Sequence, residues 1–202
     1  MNYGEVIAYW YFRLNGFFPL PNFVLHHEDL RAAGNRGGSS ADTDILAVRF
    51  PHVYEEVGGL ASDWDPFLLD NLGILQRTTV VIVEVKTGTQ SPGTLRRELE
   101  QSVFALPRLQ TAVLRVGVVP RDQACPLAEA LRRQATVAWE GLVVSKMTIT
   151  ERKLDGPWLS LTLRHVDRFI QDRIARYKDP KRSDRLFFPD PLIQYLAWRG
   201  GM

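Results

Sequence analysis

The 202-residue chain is poor in the features that staple a small scaffold or carry a protein into a membrane. It has one cysteine, Cys125, which excludes a disulfide framework and a cysteine-based zinc cluster and makes a reducing compartment the expected setting. No apolar run approaches the ~20 residues of a membrane-spanning helix. The opening residues, Met-Asn-Tyr-Gly-Glu-Val, lack the basic start of a secretory signal, so the expectation is a cytoplasmic protein with no membrane partner. Excess charge of one sign is also missing. The 25 Lys and Arg stand against 23 Asp and Glu, which excludes a uniformly basic nucleic-acid coat but leaves room for local patches. Neither a G-x-x-x-x-G-K-[ST] phosphate loop nor a G-x-S-x-G elbow occurs, and Cys125 has no supporting partner in sequence, so an ATPase motor and a serine or cysteine nucleophile are not suggested. Histidine is scarce, with four in all. His52 and His165 are isolated, and adjacent His26 and His27 would point to opposite faces of a strand, unable to chelate one ion together.

What is present is a globular composition, 45% apolar and 24% charged, in a chain long enough to bury its own core. Residues 4–15 are apolar and aromatic up to Gly16, which predicts a buried first helix, with a strand as the alternative. A short strand over Asn22–His27, a loop over 33–41 and a strand over Thr43–Phe50 follow, the last closed by Pro51. Residues 51–77 read as an irregular insertion whose five acids (Glu55, Glu56, Asp63, Asp65 and Asp70) face Arg77 alone, a net charge of −4. Thr78–Lys86 holds four consecutive β-branched aliphatics and predicts a central strand covered on both faces. Leu95, Leu99, Val103 and Leu106 predict a helix over Thr94–Leu106. Beyond it the pattern predicts a strand over Val113–Val119 and a short helix over Leu127–Gln134. Strands over 136–149 and 158–163 flank a Leu154–Pro157 turn, an amphipathic helix covers Val166–Tyr177, and a last helix runs from about Pro191 to Arg199. The fold class is α/β, a central mixed β-sheet flanked by helices. The first three strands have no helices between them, so part of the sheet must be antiparallel. Residues 1–135 form the expected core and 136–202 an α/β extension packed on it.

Glu84 and Lys86 lie two apart at the carboxyl end of the clearest strand, so their side chains share a face while Val85 points away. Asp44 opens the preceding strand. Antiparallel pairing would set it beside Glu84 and Lys86. Two adjacent carboxylates repel unless a cation lies between them. A hard divalent ion such as Mg²⁺ takes such oxygens together with water and phosphate. A lysine alongside can orient a water and offset charge in the transition state.

At these residues the chain resembles the PD-(D/E)xK nuclease superfamily, with its restriction-endonuclease-like fold. The matching residues are Asp44 and Glu84-Val85-Lys86, and the resemblance covers about residues 1–120. It implies a core of helix, three strands, helix and a fourth strand. It also implies a metal site of Asp44, Glu84 and the Val85 carbonyl with Mg²⁺ or Mn²⁺, Lys86 acting on the attacking water, and Glu5 of the first helix supporting the metal directly or through water. The chain departs from the pattern in having Thr43 before Asp44 and a long acidic insertion. Phosphodiester hydrolysis of nucleic acid, DNA before RNA, is the expected activity, carried by a homodimer or beside a protein partner. A fold of this kind that is retired from catalysis or activated by a partner, serving as a nucleic-acid-binding or assembly module, is the alternative. An unrelated α/β domain with a structural Glu84–Lys86 pair is a third reading.

Other candidates have two readings each. Glu5 could equally be an acid favoured in a first helical turn. Asp42, two residues before Asp44 and projecting to the same side, competes with it for the site or is a loop residue before the strand. Gln101, in the helix after the Glu-x-Lys strand, is a secondary site candidate or a surface residue. Residues 164–185 hold eight Lys and Arg against four Asp. Arg173, Arg176, Lys178, Lys181 and Arg182 are the expected phosphate-backbone contacts, unless they form a solvated helix face.

Overall fold

The β-branched run Thr78–Lys86 forms the strand it predicts, and every residue from Thr79 to Val85 is buried. A computed structural model describes residues 1–25, 42–55, 58–177 and 191–201 of the chain. It is an α/β protein with an open, mixed sheet of six strands flanked by helices. The strands are β1 (Phe18–Val24), β2 (Asp42–Arg49), β3 (Thr78–Lys86), β4 (Thr136–Trp139), β5 (Leu142–Thr150) and β6 (Leu159–Thr162). β1, β2 and β3 are consecutive antiparallel neighbours, and β5 runs parallel to β3. The other side of β5 is shared by antiparallel β4 along its first half and parallel β6 along its second.

Side-chain alternation divides the core. Ile45, Ala47, Val81, Val83 and Val85 pack toward α1 (Tyr3–Leu14), α2 (Pro66–Leu72) and α6 (Leu163–Arg176). Leu46, Val80, Ile82 and Val144 pack toward α3 (Pro92–Glu98), α4 (Leu106–Val116) and α5 (Arg121–Arg133). Each such aliphatic contributes about 1.5–3 kcal/mol when fully buried. With both faces covered, β3 can carry its unbroken apolar run Val80–Val83. α7 (Pro191–Gly201) packs against α6. Residues 136–202 supply β4–β6, α6 and α7, so the sheet runs through both halves of the chain. No helix among the described residues is long and apolar enough to cross a membrane.

Local chemistry sets the element ends. α1 starts at a capping box in which the Asn2 side chain accepts from the Glu5 amide and the Glu5 carboxylate accepts from the Asn2 amide. Two-residue hairpin chemistry joins β4 to β5, where Glu140 and Gly141 both take positive φ.

The predicted strand over Val113–Val119 is not formed: those residues end α4 and its C-cap, Gly117 at φ 69°. Leu106, Leu109, Val113 and Val116 recur at helical spacing and outweigh the local β-branched content. The insertion is not wholly irregular, since α2 is capped by Asp65 and ended by Gly73. The predicted helix over Thr94–Leu106 is α3 followed by a π-helical turn over Leu99–Val103. β1 starts at Phe18, earlier than its predicted position, and keeps Pro19 and Pro21 because it is an edge strand. The Leu154–Pro157 turn connects two parallel strands. His26, His27 and the loop over 33–41 lie outside the described residues.

Candidate active site

β2 begins where β3 ends. The last recorded pair of their ladder, Ile45 with Val83, sets Asp44 opposite Glu84 one step further on. Asp44 Oδ2 accepts the Val85 N–H at 2.7 Å. Val85 is thus seen in contact with Asp44 through its amide. Lys86 Nζ lies 2.8 Å from Glu84 Oε1 and 3.2 Å from Oε1 of Glu98, on the last turn of α3. Glu84 is 4% exposed, and its second oxygen, Oε2, is buried with no hydrogen-bond partner among the described residues. Across the parallel ladder Glu84 is in register with Thr148, whose buried hydroxyl also lacks a partner among the described residues.

The electrostatics follow from this packing. Burial, reinforced by Asp44, lifts Glu84 from 4.5 to about 7, against the pull of Lys86 and Arg108. Asp44 is raised by burial and by Glu5, against its Val85 hydrogen bond and the charges of Lys86 and Arg108. Burial alone would lower Lys86, but Glu84 and Glu98 outweigh it and hold the ammonium above the ordinary lysine range. Lys86 is therefore favoured in its charged form, which can orient a water or an anionic oxygen. Glu5 takes the first-turn capping role and lies close enough to Asp44 for its charge to raise that carboxyl.

Asp44 and Glu84 are the residues that could hold a divalent cation, with Glu5 behind them. No group of three His, Cys, Asp or Glu side chains poised for a metal occurs among the described residues. The donor chemistry nevertheless fits a hard cation: two neighbouring carboxylates repel, and one buried carboxylate oxygen has no donor among the described residues. Such an ion would add positive charge between the two carboxylates, beyond that of Lys86 and Arg108.

Three residues of this neighbourhood escape a sequence reading. Glu98 takes the place anticipated for Gln101, which is exposed. The signal was available: Glu98 lies three residues after core-facing Leu95, whereas Gln101 falls off that stripe. Arg108 was hidden by the misread α4. Thr148 carries no local signal, since only the parallel register brings it to Glu84.

The expected nucleic-acid contacts divide differently. Arg173 is not on the surface: it is 5% exposed, its guanidinium donates to the carbonyls of Gly58 (2.8 Å) and Asp63, and it lies against the rings of Phe169 and Trp64. This corrects its assignment as a phosphate contact, because a guanidinium so enclosed cannot reach a backbone phosphate. Arg176 donates to Asp63 Oδ1 at 2.6 Å and to the Ser62 carbonyl at 3.0 Å. Tyr177 completes the cluster with a 2.6 Å hydrogen bond to Asp63. Burial would raise Asp63, but these hydrogen bonds outweigh it and hold the carboxyl below its usual range. Asp65 is likewise taken up, accepting from Tyr11 (2.8 Å) and bonded to His165 Nε2 (2.6 Å). Lys178, Lys181 and Arg182 lie outside the described residues. Two acids of the insertion, Asp63 and Asp65, are thus partners of α6, through Arg176 and His165, while Glu55 pairs with Arg13 of α1.

No family model, no curated protein and no solved structure matches the chain.

Proposed function

We propose that the chain is a divalent-metal-dependent nuclease that hydrolyses phosphodiester bonds of DNA, with a restriction-endonuclease-like core. One observation carries the reading. Asp44 and Glu84 stand side by side at a sheet end, one Glu84 oxygen is buried without a donor among the described residues, and Lys86 Nζ lies 2.8 Å from the other. Support for such a core comes from α1, the antiparallel set β1–β2–β3 and, beyond the helices and β4, the strand β5 parallel to β3. A bound Mg²⁺ or Mn²⁺ would supply Lewis-acid polarisation of the phosphate and a more acidic water. Asp44 and Glu84 would hold the ion by their carboxylates, and Asp44 is oriented for this by the Val85 N–H. Lys86 would orient the attacking water and offset charge on the phosphoryl oxygens. Glu98 would keep the lysine charged and aimed.

The test is cleavage of plasmid, linear duplex, single-stranded DNA and RNA with Mg²⁺, Mn²⁺ or chelator. Activity that needs the metal and falls by at least about 100-fold in Lys86→Ala is the expected result. Equal activity in the variant refutes the role of Lys86. A second reading, a retired or partner-activated module, is favoured by the double engagement of Lys86 with Glu84 and Glu98, which neutralises it internally. Absence of cleavage combined with divalent-ion binding at Asp44 and Glu84 would select that reading.

A further inference from the structure

Lys146 stands on β5 in register with Ile82, one strand across from β3 and on the face that carries Glu84. It is 1% exposed. An ammonium so far from water normally faces a carboxylate, because burying an unpaired charge is costly. Lys146 faces none at ion-pair distance among the described residues. Its Nζ donates to the Arg132 carbonyl at 2.9 Å and lies 5.6 Å from the centre of the Phe104 ring. Burial, and then the Arg132 guanidinium, bring it down to about 8, against a weaker pull from Glu100. The same residues enclose a cavity of about 230 Å³, lined by Glu100, Phe104, Arg132, Lys146, Pro157 and Trp158.

A buried cation without a counter-ion, bordering a cavity with a second cation at its wall, lacks an anion. Glu100 cancels one of the two positive charges, so the cavity is net positive while Lys146 is protonated. We propose that this cavity is a phosphate-binding pocket in which Lys146 and Arg132 receive a phosphate of the nucleic-acid strand next to the one at Asp44 and Glu84. The placement suits a neighbouring phosphate: Lys146 is offset from Glu84 by one strand and two residues, about 8 Å on sheet spacings. The polarity suits it too, since phosphate accepts several charge-assisted hydrogen bonds and the ammonium has donors beyond the one given to Arg132. This inference rests on the nuclease reading for the identity of the strand, and on the cavity alone for the phosphate.

The experiment is calorimetric titration of the full chain with inorganic phosphate at constant ionic strength, and with 5′-phosphorylated and unphosphorylated oligothymidylate. Wild type is compared with Lys146→Met and Arg132→Gln. One phosphate site in wild type, weakened at least about tenfold in Lys146→Met, is expected, with affinity falling above pH 8 as the ammonium deprotonates. Bound phosphate should also move the Lys146 titration upward, followed by NMR of ¹³Cε-labelled lysine. Lys146→Met should melt no lower than wild type, because an apolar chain replaces an unpaired buried charge. If it fails to fold, Arg132→Gln, at an exposed position, carries the test instead.

Preference for the 5′-phosphorylated oligonucleotide assigns the pocket to a strand end. Equal binding of both oligonucleotides that is lost in Lys146→Met assigns it to an internal phosphate. Affinity for inorganic phosphate alone overturns the nucleic-acid part of the proposal, and no phosphate affinity, or affinity untouched by both substitutions, overturns all of it. DNA cleavage without a phosphate site at Lys146 refutes the pocket alone. Phosphate binding there without cleavage on any substrate counts against the nuclease reading alone.

Discussion

Glutamine in place of Glu84 preserves shape and removes the charge, and the consequence for stability can be worked out. The unfolded chain releases the Glu84 proton near 4.5, whereas the folded chain holds it to about 7. Between those values the native state binds more protons, so this group's contribution to stability falls as pH rises. The difference between 4.5 and about 7 corresponds to about 3 kcal/mol at neutral pH and above. Glu84→Gln removes that cost. The pull of Lys86 on Glu84 is already contained in the value of about 7, so it is not subtracted again. The variant should therefore be about 3 kcal/mol more stable than wild type at pH 8 and lose most of this advantage near pH 5. Urea unfolding across that range without divalent ions measures it. A variant less stable at pH 8, or a difference that does not change with pH, refutes the reasoning. Divalent ion at 100 times its dissociation constant should stabilise wild type by about 2.7 kcal/mol and leave the variant much less affected.

Other substitutions probe the scaffold around the site. Arg173→Met should destabilise the chain by about 3 kcal/mol in urea unfolding, because the carbonyls of Gly58 and Asp63 lose their buried donor. A neutral result would return Arg173 to the surface. The Asp65 hydrogen bond raises His165, so its stabilisation is full below about 6.5 and is lost as pH rises through the folded value. His165→Ala should therefore cost more at pH 5.5 than at pH 9, compared by urea unfolding at both. An equal cost would mean that the imidazolium form adds nothing.

The fold and site were legible to the extent that they are written in local pattern. β3 carries its own signal in consecutive β-branched residues, and period two puts Glu84 and Lys86 on one face without knowledge of any partner. Antiparallel pairing of β2 with β3 then brings Asp44 to Glu84. What failed is information held in other parts of the chain. Val113–Val119 has strand-like residues, but Leu106 and Leu109 extend the helical stripe into it and burial against α5 decides the outcome. Arg173 looks like part of a basic surface until Asp63 and Gly58, more than 100 positions earlier, are seen to surround it. The acidity of the insertion is awkward beside phosphate only if those acids face solvent; Asp63 and Asp65 are buried against α6 and α1. Thr148 and Lys146 are invisible in sequence because a parallel crossover of more than 50 residues sets their register with β3.

The account stands most directly on the claim that Asp44 and Glu84 share a divalent cation. Electron paramagnetic resonance of Mn²⁺ titrated into the full chain counts bound ions without requiring turnover. One tight ion per chain in wild type, lost in both Asp44→Asn and Glu84→Gln while both variants stay folded, is the predicted result. Stoichiometric Mn²⁺ binding that persists in both variants, or none in wild type, would contradict it.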